Sequence, residues 1–262
     1  MNNIKKVVQE KYTNIVLDSS NCCGGGTNCC GPESYTVFSE NYENLKGYNK
    51  DADYNLGCGI PTEYAQIKLG NSVLDLGSGA GNDCFVARAI VGETGKVTGL
   101  DFTDAMIQKA NANRDKLRYT NVEFVIGDIE SMPLPDNSFD VIISNCVLNL
   151  VPDKQKAFAE MYRVLKPGAH FCVSDVIITG NLPENIQKDA EMYAGCVSGA
   201  IKKEEYLEII EKAGFVNIQV KKEKEIRLSD ELLLSYLTND QILEFRKSKT
   251  GIYSITVYAN KI

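Results

Sequence analysis

The sequence predicts an α/β fold, a mostly parallel sheet covered on both faces by helices. Three observations predict it. Between residues 72 and 177, short runs rich in Val, Ile and Leu alternate with segments of helical periodicity. The first of these runs, SVLDLGSG at 72–79, leads straight into a glycine turn. The chain has 262 residues, 44% hydrophobic and 24% charged, enough to bury a core of that kind.

The elements follow in order. Residues 4–17 have helical spacing, with Ile4, Val7, Val8 and Tyr12 near one face. The stretch DSSNCCGGGTNCCG (18–31) comes next, and its small polar residues predict a mobile arm. Residues 34–57 are polar and tyrosine-rich and suit short helices. The regular part then reads strand 72–79, helix 82–92, strand 96–102, a helix at 103–117 opened by a Thr/Asp cap, and strand 122–128. A fourth strand lies within 138–150, followed by a helix at 153–166 and a fifth strand at 169–177. Beyond Gly180 the pattern loosens into helices at 184–194 and 202–213, a strand at 216–227, a helix at 230–237 and a last strand, IYSITVYANK. No internal repeat is present. The expected division is an N-terminal helical and Cys-rich segment at 1–57, a ligand-binding domain at 58–180 and a substrate-binding C-terminal region at 181–262.

Charge narrows the partners. A net charge of −7 with no long basic run argues against nucleic acid or an anionic membrane as the main partner. The lysines of VKKEKEIR (220–227) alternate with acids, as on a solvated strand. No apolar run approaches the roughly 20 residues of a spanning helix, and MNNIKKVVQEKY lacks a signal-peptide core. A cytoplasmic location is expected, and there nine cysteines serve as thiols, metal ligands or redox groups rather than as a disulfide framework. The N-terminal pairs are CC and not CxxC, a poor match to structural zinc.

The turn LDLGSGAG sets Gly77, Gly79 and Gly81 directly after the first strand, where backbone N–H groups can approach a ligand. Asp101 closes the second strand, 24 positions beyond Gly77, as expected of a carboxylate on ribose hydroxyls. A dinucleotide site or a plain tight connection would also use glycines. The spacing here is GxGxG, however, and Asp75 precedes it, where an acid suits a cationic ligand better than a phosphate.

These motifs, with GDIESMPLPDNSFDVIISNCVLNLV and EMYRVLKPGAHFCVSDV, resemble the class I S-adenosylmethionine methyltransferases over residues 70–180. The resemblance implies a Rossmann-like, mostly parallel seven-stranded sheet. It also implies that Asp75, Gly77, Ser78, Gly79 and Gly81 embrace the methionine part of the cofactor, with Asp101 on the ribose. Phe102 and Met106 would lie beside the adenine, Asp128 and Ile129 at its edge, and Asn145 and Val147 along the pocket. Each of the apolar residues among these could equally be core.

The chain has one histidine, His170, at the start of a strand and away from the expected ligand edge, where it reads as an incidental surface residue. An acceptor that needs no base therefore fits best. Cys84 and Cys172 read as core residues, and Cys146 as either pocket or packing. Cys58 and Cys196, each among small residues, read as accessible thiols.

At this level NLGCGIP, SNCVLNLVPDKQKAF and CVSGA resemble the arsenite methyltransferases over most of residues 55–220. The resemblance implies transfer of a methyl group to thiol-bound trivalent arsenic, with Cys58 and Cys196 as arsenic ligands. It departs at KTGIYSITVYANKI, where many members carry another arsenic-binding cysteine. A third ligand is then expected from a glutathione-like thiol, a hydroxide or the N-terminal arm. Cys22, Cys23, Cys29 and Cys30 would capture arsenic, or act as a redox reserve restored by thioredoxin. The competing readings are a quinone-biosynthesis C-methyltransferase, which shares PLPDNSFDVI, and a thiol-rich As(III)-binding protein that is not an enzyme.

Overall fold

A computed structural model describes residues 2–21, 39–187, 199–248 and 250–262. The expected alternation is present. Strands β1 (Ser72–Leu76), β2 (Lys96–Asp101), β3 (Val122–Ile126), β4 (Phe139–Asn145) and β5 (Leu165–Thr179) run parallel, while β6 (Val216–Ile226) and β7 (Gly251–Asn260) complete the sheet. The strand order is β3-β2-β1-β4-β5-β7-β6, with β7 antiparallel to both neighbours. The seven-stranded, mostly parallel sheet is thus as expected. The chain reverses direction across the sheet between β1 and β4, which opens a crevice at their carboxyl ends.

Alternate side chains of the central strands feed two cores. Leu74, Leu76, Ile142 and Phe171 pack with Phe158 and Met161 of α4 (Lys154–Val164) and Tyr206 of α6 (Lys203–Lys212). Val73, Val97, Val141 and Ile143 pack on the other face with Phe85 and Ala87 of α2 (Asn82–Val91). Helix α3 (Asp104–Leu117) covers β2 and β3, and α1 (Asn2–Asn21) lies against α3 with Val8 fully buried. Among the described residues no helix is long and apolar enough to cross a membrane.

Three differences from the sequence reading have local causes. Helix α4 stops at Val164 because Pro167 disfavours helical backbone in the residue before it, and Leu165 already pairs with Phe139. The expected helix at 230–237 ends sooner, as α7 (Asp230–Leu234), and a further helix, α8 (Asn239–Lys247), follows it. The signal for α8 is a capping box in TNDQ, where Thr238 and Gln241 each satisfy the other's backbone N–H. Of the helix expected at 184–194, only α5 (Glu184–Gln187) falls within the described residues.

Gly81 opens α2 at φ +97°, and a Cβ there would stand 2.7 Å from Phe124 Cζ and 2.9 Å from Phe85 Cζ. Both rings belong to the core beneath the turn, so neither can retreat cheaply. Gly81→Ala is expected to lower the unfolding free energy by about 2 kcal/mol or more, combining backbone strain with overpacking. Urea denaturation followed by circular dichroism measures it.

Candidate active site

The crevice at the carboxyl ends of β1, β2 and β4 is lined by nine of the residues expected from the sequence. Asp75, Gly77, Ser78 and Gly79 come from the first turn, Asp101, Phe102 and Met106 from the second, and Asn145 and Val147 from the end of β4. An adjoining pocket shares Gly77, Asp101, Phe102 and Val147 and adds Asp128, Ile129 and Lys5. Gly81 stands outside both linings, at the helix start.

The turn is held open by its own backbone. Gly77 N–H and Ser78 N–H both donate to Leu100 O, at 2.8 and 3.1 Å, tying the turn to β2. Gly77 has φ +67°, and a Cβ on it would stand 2.4 Å from Val147 Cγ2. Gly79 has φ +51°, and a Cβ on it would meet only Met106 Sδ, at 3.9 Å, so the missing side chain leaves room in the cleft. Gly79 N–H donates to Asp101 Oδ2 at 3.0 Å, and Thr103 N–H to Asp101 Oδ1 at 2.8 Å. Asp101 is therefore fixed at the tip of β2.

Of the five carboxylates that line this cleft, three have raised pKa values: Asp75, Asp101 and Asp83 of the first turn of α2. Burial raises all three above the ordinary carboxylate range. Asp75 is pushed well up by burial and by repulsion from Asp83 and Asp101, against the pull of the Cys84 S–H, which donates to its Oδ2 at 3.2 Å. Asp83 is pushed up to about 6 by burial, with hydrogen bonds from Asn145 and Tyr42 resisting. Backbone N–H groups temper the rise at Asp101. Such a cleft favours a ligand that brings positive charge. Sequence reasoning missed Asp83, although GND at 81–83 placed it in the first turn of a helix whose start was already assigned.

Helix α1 closes the side of the cleft at Phe102 and Asp128. Lys5 Nζ is 2.5 Å from Asp128 Oδ2 and also bonds Glu130, while Gln9 Nε2 donates to Phe102 O at 3.1 Å. Val8 and Tyr12 line the cleft from the same helix.

The cysteines need correction. Cys58 is completely buried. The flanking glycines do not keep its thiol open: they let the loop press on the sheet, since a Cβ on Gly57 would meet Asn145 Nδ2 and one on Gly59 would meet Ser174 Oγ, each at 2.5 Å. Cys146, left between two readings by the sequence, lines the cleft and shares a buried cluster with Cys58. It adopts φ +62°, and its N–H donates to Ser174 O at 2.7 Å. Cys84 is buried as expected, yet also holds Asp75; Cys172 is buried, and its thiol is pushed up to about 12. Cys22, Cys23, Cys29, Cys30 and Cys196 lie outside the described residues. His170 sits toward the amino end of β5, paired with Val141, away from the cleft. It is not a loose surface group: Nε2 is 2.6 Å from Ala65 O and the ring lies on Tyr258, centroids 4.9 Å apart.

The sheet order, the glycine turn and the acid that closes β2 together define a class I methyltransferase domain, and residues 67–214 match the family model described as a methyltransferase domain. The chain is 40% identical over 231 residues to an arsenite methyltransferase of Halobacterium salinarum, a match covering 82% of this chain and 58% of that protein. The solved structure of an arsenic(III) S-adenosylmethionine methyltransferase from Chlamydomonas reinhardtii superposes with a TM-score of 0.67 at 38% identity, over 79% of this chain and 68% of that one. A ubiquinone/menaquinone biosynthesis C-methyltransferase of Escherichia coli is 42% identical, but over 111 residues, 41% of this chain and 43% of that protein. The chain belongs to the arsenite methyltransferase family, and spans about three fifths of the length of its Halobacterium relative.

The family's cofactor is S-adenosylmethionine, and the cleft fits it: acids for its cationic groups, an open floor at Gly79 and apolar walls from Phe102 and Met106. A bound cation favours ionised Asp83, so binding releases a proton below about pH 6. The Asp83 share of cofactor affinity is expected to rise with pH up to about 6 and to level off above it. Without a cation the native state holds this proton more tightly than the unfolded chain, so Asp83 makes stability fall as pH rises from about 4 toward about 6. Isothermal titration of S-adenosylmethionine between about pH 5 and about pH 8 should show the affinity slope, and Asp83→Asn should remove the part of it below about pH 6.

Proposed function

We propose that this chain transfers a methyl group from S-adenosylmethionine to trivalent arsenic, arsenite or methylarsenite, held by the thiolates of Cys58, Cys146 and Cys196. One observation carries the reading: Cys58 and Cys146, 88 positions apart, share one buried cluster, and Cys146 forms part of the cofactor cleft wall. Cys146 takes the place of the third sulfur that the C-terminal strand lacks.

Trivalent arsenic is soft and prefers thiolates. Bound by two or three sulfurs, it keeps a lone pair and carries no proton to be removed. The position of the lone histidine, toward the opposite end of β5, is consistent with a reaction that needs no imidazole base. Bound S-adenosylmethionine supplies a methyl group activated by its sulfonium. The chain's share is alignment and exclusion of water. Asp75, Asp83 and Asp101 hold cationic and hydroxyl groups of the cofactor, the Cys58 and Cys146 thiolates hold the acceptor, and α1 shields the cleft through Lys5 and Gln9. The arsenic lone pair forms the new As–C bond as the methyl–sulfur bond breaks. The arsenic is thereby oxidised, and thiols must return two electrons before another cycle. A glutathione-like thiol or thioredoxin suits that role, and Cys22, Cys23, Cys29 and Cys30 offer the entry point, as capture arm or redox relay. The quinone-type C-methyltransferase reading is disfavoured, because it gives Cys58 and Cys146 no task and its match covers under half the chain. A cytoplasmic location fits these thiol requirements.

Incubation with arsenite, S-adenosylmethionine and a thiol, followed by arsenic speciation, should show methylated arsenicals. Cys58→Ser should lower their formation by about a hundredfold or more. Full activity in that variant would remove the arsenic-ligand role.

A further inference from the structure

One side-chain cluster joins the cleft to the loop that carries Cys58. Asn145 uses both atoms of its amide. Its Oδ1 accepts from Cys58 N–H at 3.0 Å and Gly59 N–H at 3.3 Å. Its Nδ2 stands 2.8 Å from Gly59 O, 2.8 Å from Tyr42 Oη and 3.2 Å from Asp83 Oδ2. Tyr42 Oη is in turn 3.0 Å from Gly59 O and 2.9 Å from Asp83 Oδ1.

The protons are fewer than the contacts. The amide supplies two and the phenol one, against five donor–acceptor contacts. The charge on Asp83 decides how they are shared. An ionised carboxylate draws the phenol proton, since charge-assisted hydrogen bonds are the stronger ones. A neutral carboxyl releases it to Gly59 O, the carbonyl next to Cys58. The loop has little slack, because Gly57 and Gly59 already touch Asn145 and Ser174 and Ser254 Oγ donates to Cys58 O. A change in how Gly59 O is held is therefore passed to the thiol.

We propose that Asp83, Tyr42 and Asn145 form a positioning relay that couples occupancy of the cofactor cleft to the seating of the Cys58 loop. A cation in the cleft holds Asp83 ionised, Tyr42 turns its hydroxyl to that carboxylate, and the Asn145 amide is left to clamp both Cys58 and Gly59. The consequence for catalysis rests on the reading that Cys58 holds arsenic; the coupling itself does not. By linkage, whatever factor the cofactor adds to arsenite affinity, arsenite adds to cofactor affinity.

The test uses sinefungin, an unreactive analogue with an ammonium where the cofactor has its sulfonium. The rate of Cys58 alkylation by iodoacetamide, read by peptide mass spectrometry, reports opening of the loop. At about pH 5, where the empty cleft leaves Asp83 largely protonated, saturating sinefungin is expected to slow it about fivefold or more in the wild type, and at about pH 8, where Asp83 is ionised with or without a ligand, the protection should shrink. In Tyr42→Phe, which keeps the ring and removes only the hydroxyl, the protection should fall below about twofold although sinefungin still saturates the protein. Asp83→Asn should behave likewise, and S-adenosylhomocysteine, neutral at sulfur, should protect less than sinefungin. Equal protection in wild type and Tyr42→Phe would overturn the relay, as would no protection in the wild type. Arsenite titration of the same proteins separates the two claims: arsenite bound equally by wild type and Cys58→Ser defeats the arsenic reading, while the alkylation ratios still decide the relay.

Discussion

Much of the site depends on one constraint: three carboxylates with raised pKa values share one cleft. Asp75 and Asp101 are buried and Asp83 is half-buried, and desolvation raises the pKa of each. Repulsion from the others adds to the rise at Asp75. Such a grouping is unfavourable in a ligand-free protein and is relieved by positive charge. The surrounding donors moderate the cost without removing it. Gly79 and Thr103 N–H groups serve Asp101, the Cys84 thiol serves Asp75, and Tyr42 and Asn145 serve Asp83. The site is thereby matched to a cationic cofactor before that cofactor arrives.

The second requirement concerns sulfur. An acceptor without a removable proton asks little of acid–base groups and much of alignment. The structure devotes its polar resources accordingly. The backbone of Cys58 is tied at both ends, its N–H to Asn145 and its carbonyl to Ser254, and Cys146 is held by Ser174 in left-handed backbone. Cys146 follows the end of β4 and lines the cleft, and Cys58 lies on the loop that packs on Asn145 and Ser174. The sheet thus places the thiols, and helix α1 covers the side of the cleft at Phe102 and Asp128.

Much of this was legible in the sequence where a local rule carries the information. The glycine turn, Asp101 and the alternation of strands and helices are written as short patterns, and the central sheet follows them. Helix α8 was missed although its capping box stands in four consecutive residues, the window between the expected helix at 230–237 and the last strand having been left unassigned. Cys58 was read as open because glycine neighbours remove packing partners in sequence. In space they do the reverse, since a residue without Cβ lets Asn145 and Ser174 come closer. Asp83 escaped, and Cys146 stayed between pocket and packing, for a related reason: each gains its meaning from residues tens of positions away, which no spacing rule reveals.

The central claim, that trivalent arsenic is held by sulfur from Cys58 and Cys146, is tested most directly by arsenic X-ray absorption on the arsenite-loaded protein. The account predicts a shell of sulfur neighbours that loses one scatterer in Cys58→Ser and one in Cys146→Ser. An oxygen-dominated shell in the wild type, or a sulfur shell unchanged by both substitutions, would contradict it.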